Sequence, residues 1–69
     1  MPEVVLNGKP TTLPDGATAA DAVRAAGAPE EARGVAVALD GEVVPRARWD
    51  ATPLSDGGRV EVLNAVQGG

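Results

Sequence analysis

The side chains that most often make and break bonds are missing from this 69-residue sequence: it has no His and no Cys, and Ser55 is its only serine. Histidine is the side chain whose ordinary pKa suits proton transfer near neutrality, and cysteine is the readiest nucleophile. Without an imidazole to activate it, Ser55 cannot head a hydrolase triad. A zinc cluster of the usual kind and a disulfide are excluded for the same lack of ligands and thiols, which leaves the redox compartment open. No catalytic residue, no metal site and no cofactor of the chain's own is therefore expected. The remaining candidate is the end of the chain, Gly68-Gly69. Glycine has no Cβ to hold the walls of a partner's channel away from the backbone, so such an end can thread a narrow passage. A free carboxylate on Gly69 is a poor acyl donor. Attack of its oxygen on the α-phosphate of ATP would give an acyl adenylate, from which a sulfur or amine nucleophile displaces AMP. Bringing two anions together, shielding them with magnesium and basic groups and aligning them is positioning and electrostatic work for a partner enzyme. On this reading Gly69 is a substrate, and the ATP and magnesium belong to the activating enzyme. The plainer reading is a frayed polar tail, because chain ends are commonly disordered. What the tail is attached to decides between them.

The chain is long enough for one domain and one core. Its apolar fraction is 43%, carried by Ala, Val and Leu with Trp49 as the single aromatic residue, so the core must be thin. Ten acidic residues against six basic give a net charge of −4, which opposes binding to nucleic acid or an anionic membrane and favours a basic partner surface. No stretch is apolar for long enough to span a bilayer, and Met1-Pro2-Glu3 lacks the positive start of a secretory signal. A cytoplasmic protein, monomeric when free, is expected.

The order of elements follows from turn signals. Glu3–Leu6 and Lys9–Leu13 read as strands joined by Asn7-Gly8, the strongest short hairpin signal. Pro10 cannot donate to a ladder, which places the second strand at a sheet edge. After Asp15-Gly16, Thr18 stands as an N-cap with Asp21 in the acidic position of a capping box. A short helix over Ala19–Ala26 should turn Ala19, Ala22, Val23 and Ala26 inward and Asp21 and Arg24 outward, with Gly27 and Pro29 as its stop. The stretch from Pro29 to Gly34 reads as a solvated loop, or as one further turn. Val35–Leu39 and Glu42–Val44 form a second hairpin around Asp40-Gly41, ended by Pro45. Arg46–Ser55 reads as irregular, with Trp49 laid over the core. Asp56-Gly57-Gly58 then turns the chain into a last strand, Arg59–Ala65.

Two strands, a helix, two strands and a final strand predict an α+β domain. The hairpins share one core only if the last strand lies between the first and third, parallel to the first. This is the β-grasp or ubiquitin-like arrangement: a mixed sheet of about five strands with one main helix on one face. Residues 1–65 would form the domain, and residues 66–69 a flexible tail ending in Gly-Gly.

Val44-Pro45-Arg46 followed by Trp49, then Leu54, Asp56-Gly57, Val60-Glu61-Val62 and the ending Ala65-Val66-Gln67-Gly68-Gly69 resemble the ThiS family, the sulfur carriers of bacterial thiamine biosynthesis. The likeness spans nearly the whole chain; Gly58 stands where the family commonly has an acidic residue. The resemblance implies that a ThiF-type, E1-like enzyme adenylates Gly69 and that cysteine-derived sulfur converts it to a thiocarboxylate. A ThiG-type thiazole synthase would consume that sulfur. Val66, Gln67 and Gly68 would be the part of the tail that partners hold, with Val66 and neighbouring apolar residues either docking a partner or packing in the core. A chain without Cys cannot lose such sulfur to an internal exchange. Arg46 and Arg48 are either partner contacts or solvated charges beside Asp50, and Lys9 is the only lysine. The alternatives are the related molybdopterin synthase small subunit, a carrier for another sulfur pathway, a ubiquitin-like modifier, and an interaction module with an inert end.

Overall fold

Two dipeptides that tolerate a left-handed backbone set the frame. Asn7 and Gly8 have φ of 51° and 83°, and Asp40 and Gly41 have φ of 50° and 87°. Paired positive φ values match the right-handed twist of flanking strands, so each dipeptide closes a tight antiparallel hairpin. The computed structural model describes residues 1–28 and 34–64. Strand β1 (Glu3–Leu6) pairs with β2 (Lys9–Thr12), and β3 (Val35–Leu39) pairs with β4 (Glu42–Val44), both antiparallel. The last strand, β5 (Arg59–Asn64), lies between them, parallel to β1 and antiparallel to β3. The sheet order is β2-β1-β5-β3-β4. Pro10 thus lies on an edge strand, as its missing donor requires.

The single α-helix among the described residues, α1 (Ala19–Ala25), starts at Thr18, whose backbone N–H donates to the Asp21 carboxylate at 2.8 Å. That contact satisfies a donor at the helix entrance and sets negative charge at the positive end of the helix dipole. Gly27, at φ 82°, ends the helix. The buried helix residues are Ala19, Ala20, Ala22 and Val23. They face Val4 and Leu6 of β1, Val37 of β3, and Val60 and Val62 of β5 in one core. Methyl-sized side chains bring the helix close to the sheet, which suits a core with so few large residues.

Three expectations need correction. Ala26 is exposed, against the inward place expected for it, and Ala20, which was given no face, is buried. The helix stops at Ala25, Gly27 turns the chain, and Ala28 takes the inward place instead. The segment after Pro45 is not irregular throughout, for Arg46–Ala51 is a 3₁₀ turn. It packs against α1 and seats Trp49, which is 4% exposed and donates its indole N–H to the Val44 carbonyl at 3.0 Å. Backbone bonds Ala19 N–H to Thr52 O (2.9 Å) and Leu54 N–H to Ala17 O (3.0 Å) fasten the turn's exit to the helix entrance. Strand β2 stops at Thr12, one residue short of the expected end, and Leu13 is buried beyond it. The possible turn over 29–33 and the last expected strand residue, Ala65, lie outside the described residues.

The turn that launches β5 is tied to the start of β1. Glu3 donates its N–H to the Asp56 carboxylate at 2.6 Å, Gly57 donates to Glu3 O at 2.8 Å, and Val5 donates to Gly58 O at 2.8 Å. A Cβ on Gly58 would sit 3.1 Å from the Ser55 carbonyl oxygen, so an acidic residue there would have to displace that carbonyl slightly.

Candidate functional site

Alternation along β5 separates its two faces. Val60 and Val62 point into the core, while Arg59, Glu61 and Leu63 are exposed. The strand ends at Asn64, five positions before Gly69. A chain of that length spans at most roughly 17 Å when fully extended. Val66, Gln67, Gly68 and Gly69, the residues singled out from the sequence, lie outside the described residues. The structure therefore describes the mount of the tail.

The sheet face away from α1 is apolar beside that mount. Leu63 is 67% exposed and Val43 75% exposed. Ala36 is the cross-strand partner of Leu63, and Ala38 is the partner of both Glu61 and Val43. These side chains form a shallow patch over β5, β3 and β4, in which Glu61, in one row with Ala38 and Val43, carries negative charge.

Sequence reading assigned Asn7 to the first hairpin turn and nothing more. Its side chain also reaches β5: Oδ1 accepts the Val62 N–H at 2.8 Å, and Nδ2 donates to the Val62 carbonyl at 3.2 Å. Its backbone N–H donates to Val60 O at 2.9 Å. The carboxamide thus continues the β1–β5 ladder one step after β1 has turned away. Nothing local in the sequence carries this signal, because the partner is 55 residues distant.

Of the two arginines left open by sequence, Arg46 lies over Trp49, its guanidinium carbon 5.2 Å from the ring centroid. That cation–π contact accounts for Arg46 within the fold. Arg48 donates its backbone N–H to Pro45 O at 2.8 Å and lends its carbonyl to the Thr52 hydroxyl at 2.7 Å. Among the described residues no charged or polar side chain is buried, and no group of three or more His, Cys, Asp or Glu is placed to hold a metal. Nor is any described helix long and apolar enough to cross a membrane.

A mixed five-stranded sheet, one helix on one face and a central last strand leading to the C-terminal residues define the ubiquitin-like β-grasp class. The comparisons narrow this class. The ThiS family model matches residues 4–69, and the chain belongs to that family. It is similar to the thiamine biosynthesis protein ThiS of Geobacter metallireducens, solved by crystallography and by NMR. The crystal structure superposes with a TM-score of 0.74 at 35% identity, over 97% of this chain and 99% of that one. The NMR structure gives 0.76 at 35% identity, over 97% and 87%. No curated protein matches the sequence.

Proposed function

We propose that this protein is a sulfur carrier that is activated and loaded at the α-carboxylate of Gly69, and that it works as a substrate of other enzymes. Membership of the ThiS family supports the carrier role. The structural observation that carries the reading is the placement of β5: the strand preceding the tail is held by β1 on one side and β3 on the other. A tail mounted there acts as an arm on a rigid handle. An E1-like enzyme of the ThiF type adenylates Gly69 with its own ATP and magnesium, the carboxylate oxygen attacking the α-phosphate as pyrophosphate leaves. Cysteine-derived sulfur then displaces AMP, and the thiocarboxylate delivers sulfur to a thiazole synthase of the ThiG type for thiamine.

In this account partners dock on the Leu63–Val43 face and hold Val66, Gln67 and Gly68 while the chemistry proceeds at Gly69. Leu63→Lys is expected to keep folding stability within about 0.5 kcal/mol, because the side chain is exposed. The same substitution should raise KM for activation several-fold, as measured by ATP–pyrophosphate exchange, since it places a charge in an apolar contact.

Intact mass spectrometry tests the function. After incubation with the activating enzyme, ATP, magnesium and a cysteine-derived sulfur source, a carrier gains the mass difference of one oxygen replaced by sulfur. A modifier instead becomes attached to lysines of other proteins, and an inert module keeps its mass. A molybdopterin-synthase-like small subunit would show the sulfur exchange but co-purify in a stable complex with a large subunit.

A further inference from the structure

We infer that Asn7 is a positioning residue for loading: its carboxamide fixes the point at which β5 stops being held from the β1 side, and thereby sets where the arm begins. The inference rests on the carrier reading. In a strand, the N–H and C=O of one residue point to the same side, and successive residues alternate between the two neighbours. Val62 therefore presents both groups to the β1 side, where β1 itself has already ended at Leu6. The Asn7 side chain supplies both missing partners, accepting from Val62 N–H at 2.8 Å and donating to its carbonyl at 3.2 Å. Beyond Val62, Leu63 and Asn64 are registered only against β3, opposite Ala36 and Val35. Among the described residues Asn7 is thus the last anchor on one flank of the strand that carries the tail. It occupies a left-handed position, φ 51°, that asparagine tolerates well and most residues do not.

The role this implies differs from docking. Partner affinity comes from the sheet face, whereas the clamp sets how often the diglycine end reaches the activating site once docked. Loss of the clamp should consequently lower kcat and leave KM nearly unchanged. Misplacement of a reacting group by about 1 Å costs up to about a hundredfold in rate, so a loosened mount that still samples the correct position should cost roughly 5- to 20-fold.

The test uses the full chain with Asn7→Gly, which keeps the positive φ and removes both side-chain bonds, and Asn7→Asp, which keeps the acceptor for Val62 N–H. Amide exchange by NMR reads the clamp directly. In Asn7→Gly the Val62 amide should exchange at least about tenfold faster. The Val5 amide, bonded to Gly58 O at the other end of the same seam, should hold its protection. ATP–pyrophosphate exchange with a ThiF-type enzyme, run well below the melting temperature, should show reduced kcat and a KM within twofold of the parent. Asn7→Asp should recover the protection of Val62 and part of kcat. Unchanged Val62 exchange in Asn7→Gly overturns the inference. So does a parental kcat despite lost protection, or a defect confined to KM. Should the parent chain itself not be adenylated, the carrier reading fails and the positioning role fails with it, whatever Val62 does; adenylation of the parent with normal kcat in Asn7→Gly removes the inference alone.

Discussion

Deleting Gly69 is expected to abolish activation, leaving no ATP–pyrophosphate exchange above background and no sulfur incorporation, while the thermal melting temperature stays that of the parent. The two halves of this expectation have separate causes. Loading is lost because the reacting atoms belong to the terminal carboxylate, and the new terminus on Gly68 would fall one residue, about 3.5 Å, short of the activating site. Proximity effects make a shortfall of that size as damaging as removing the group. Stability is kept because, among the described residues, the core ends at Val62, seven positions before Gly69. Extension of the chain by one residue beyond Gly69 should be nearly as harmful, since it converts the carboxylate into an amide. Parallel loss of loading and melting temperature on deletion would mean that the end of the chain helps to hold the fold, contradicting the separation of arm and handle.

Trp49→Ala is the substitution expected to damage the fold most. The indole is 4% exposed, is the only aromatic ring in the protein, and donates to Val44 O. Truncation of a buried aromatic side chain to alanine costs about 3–5 kcal/mol. A domain of 69 residues has a total stability of roughly 3–10 kcal/mol. Removal of the ring also takes away the surface over which Arg46 lies and loosens the attachment of the 3₁₀ turn to α1. The variant should be largely unfolded near 40 °C and show an unfolding free energy in urea lowered by about 3–5 kcal/mol, followed by far-UV circular dichroism because the fluorophore is gone. A loss below about 1 kcal/mol would show that Trp49 rests on the core without contributing to it. Arg46→Ala, by comparison, should cost about 0.5–1 kcal/mol from the cation–π contact.

The parts of the fold that were legible in the sequence are those with a local physical cause. Asn7-Gly8 and Asp40-Gly41 announce hairpins because few other dipeptides adopt two positive φ values, and Pro10 announces an edge because it lacks a donor. Thr18 and Asp21 mark a helix start through a contact three residues apart. The 3₁₀ turn at Arg46–Ala51 escaped because one tight turn is too short to establish a period, and its stability comes from Trp49 meeting a core assembled elsewhere. The buried face of α1 was misread at Ala26 and not extended to Ala20 because alanine at four of seven helix positions and in the C-cap offers little contrast between faces. The clamp made by Asn7 was invisible for a third reason: its existence depends on the parallel β1–β5 register, a pairing set by the whole topology.

The candidate site divides in the same way. A Gly-Gly end is legible as an acyl donor awaiting activation because the chemistry needs only backbone, and the absence of His and Cys removes most competing chemistries. That the strand bearing that end is central was legible from the need to join two hairpins in one core, whereas the exposure of Leu63 and Val43 on the same open sheet face follows from register, which composition does not encode.

Fragmentation of the C-terminal peptide after enzymatic loading tests the central claim most directly. The account predicts that the oxygen-to-sulfur mass difference resides wholly in the Gly69 residue and disappears when that residue is deleted. Sulfur found on any side chain, or retained by the protein lacking Gly69, would contradict it.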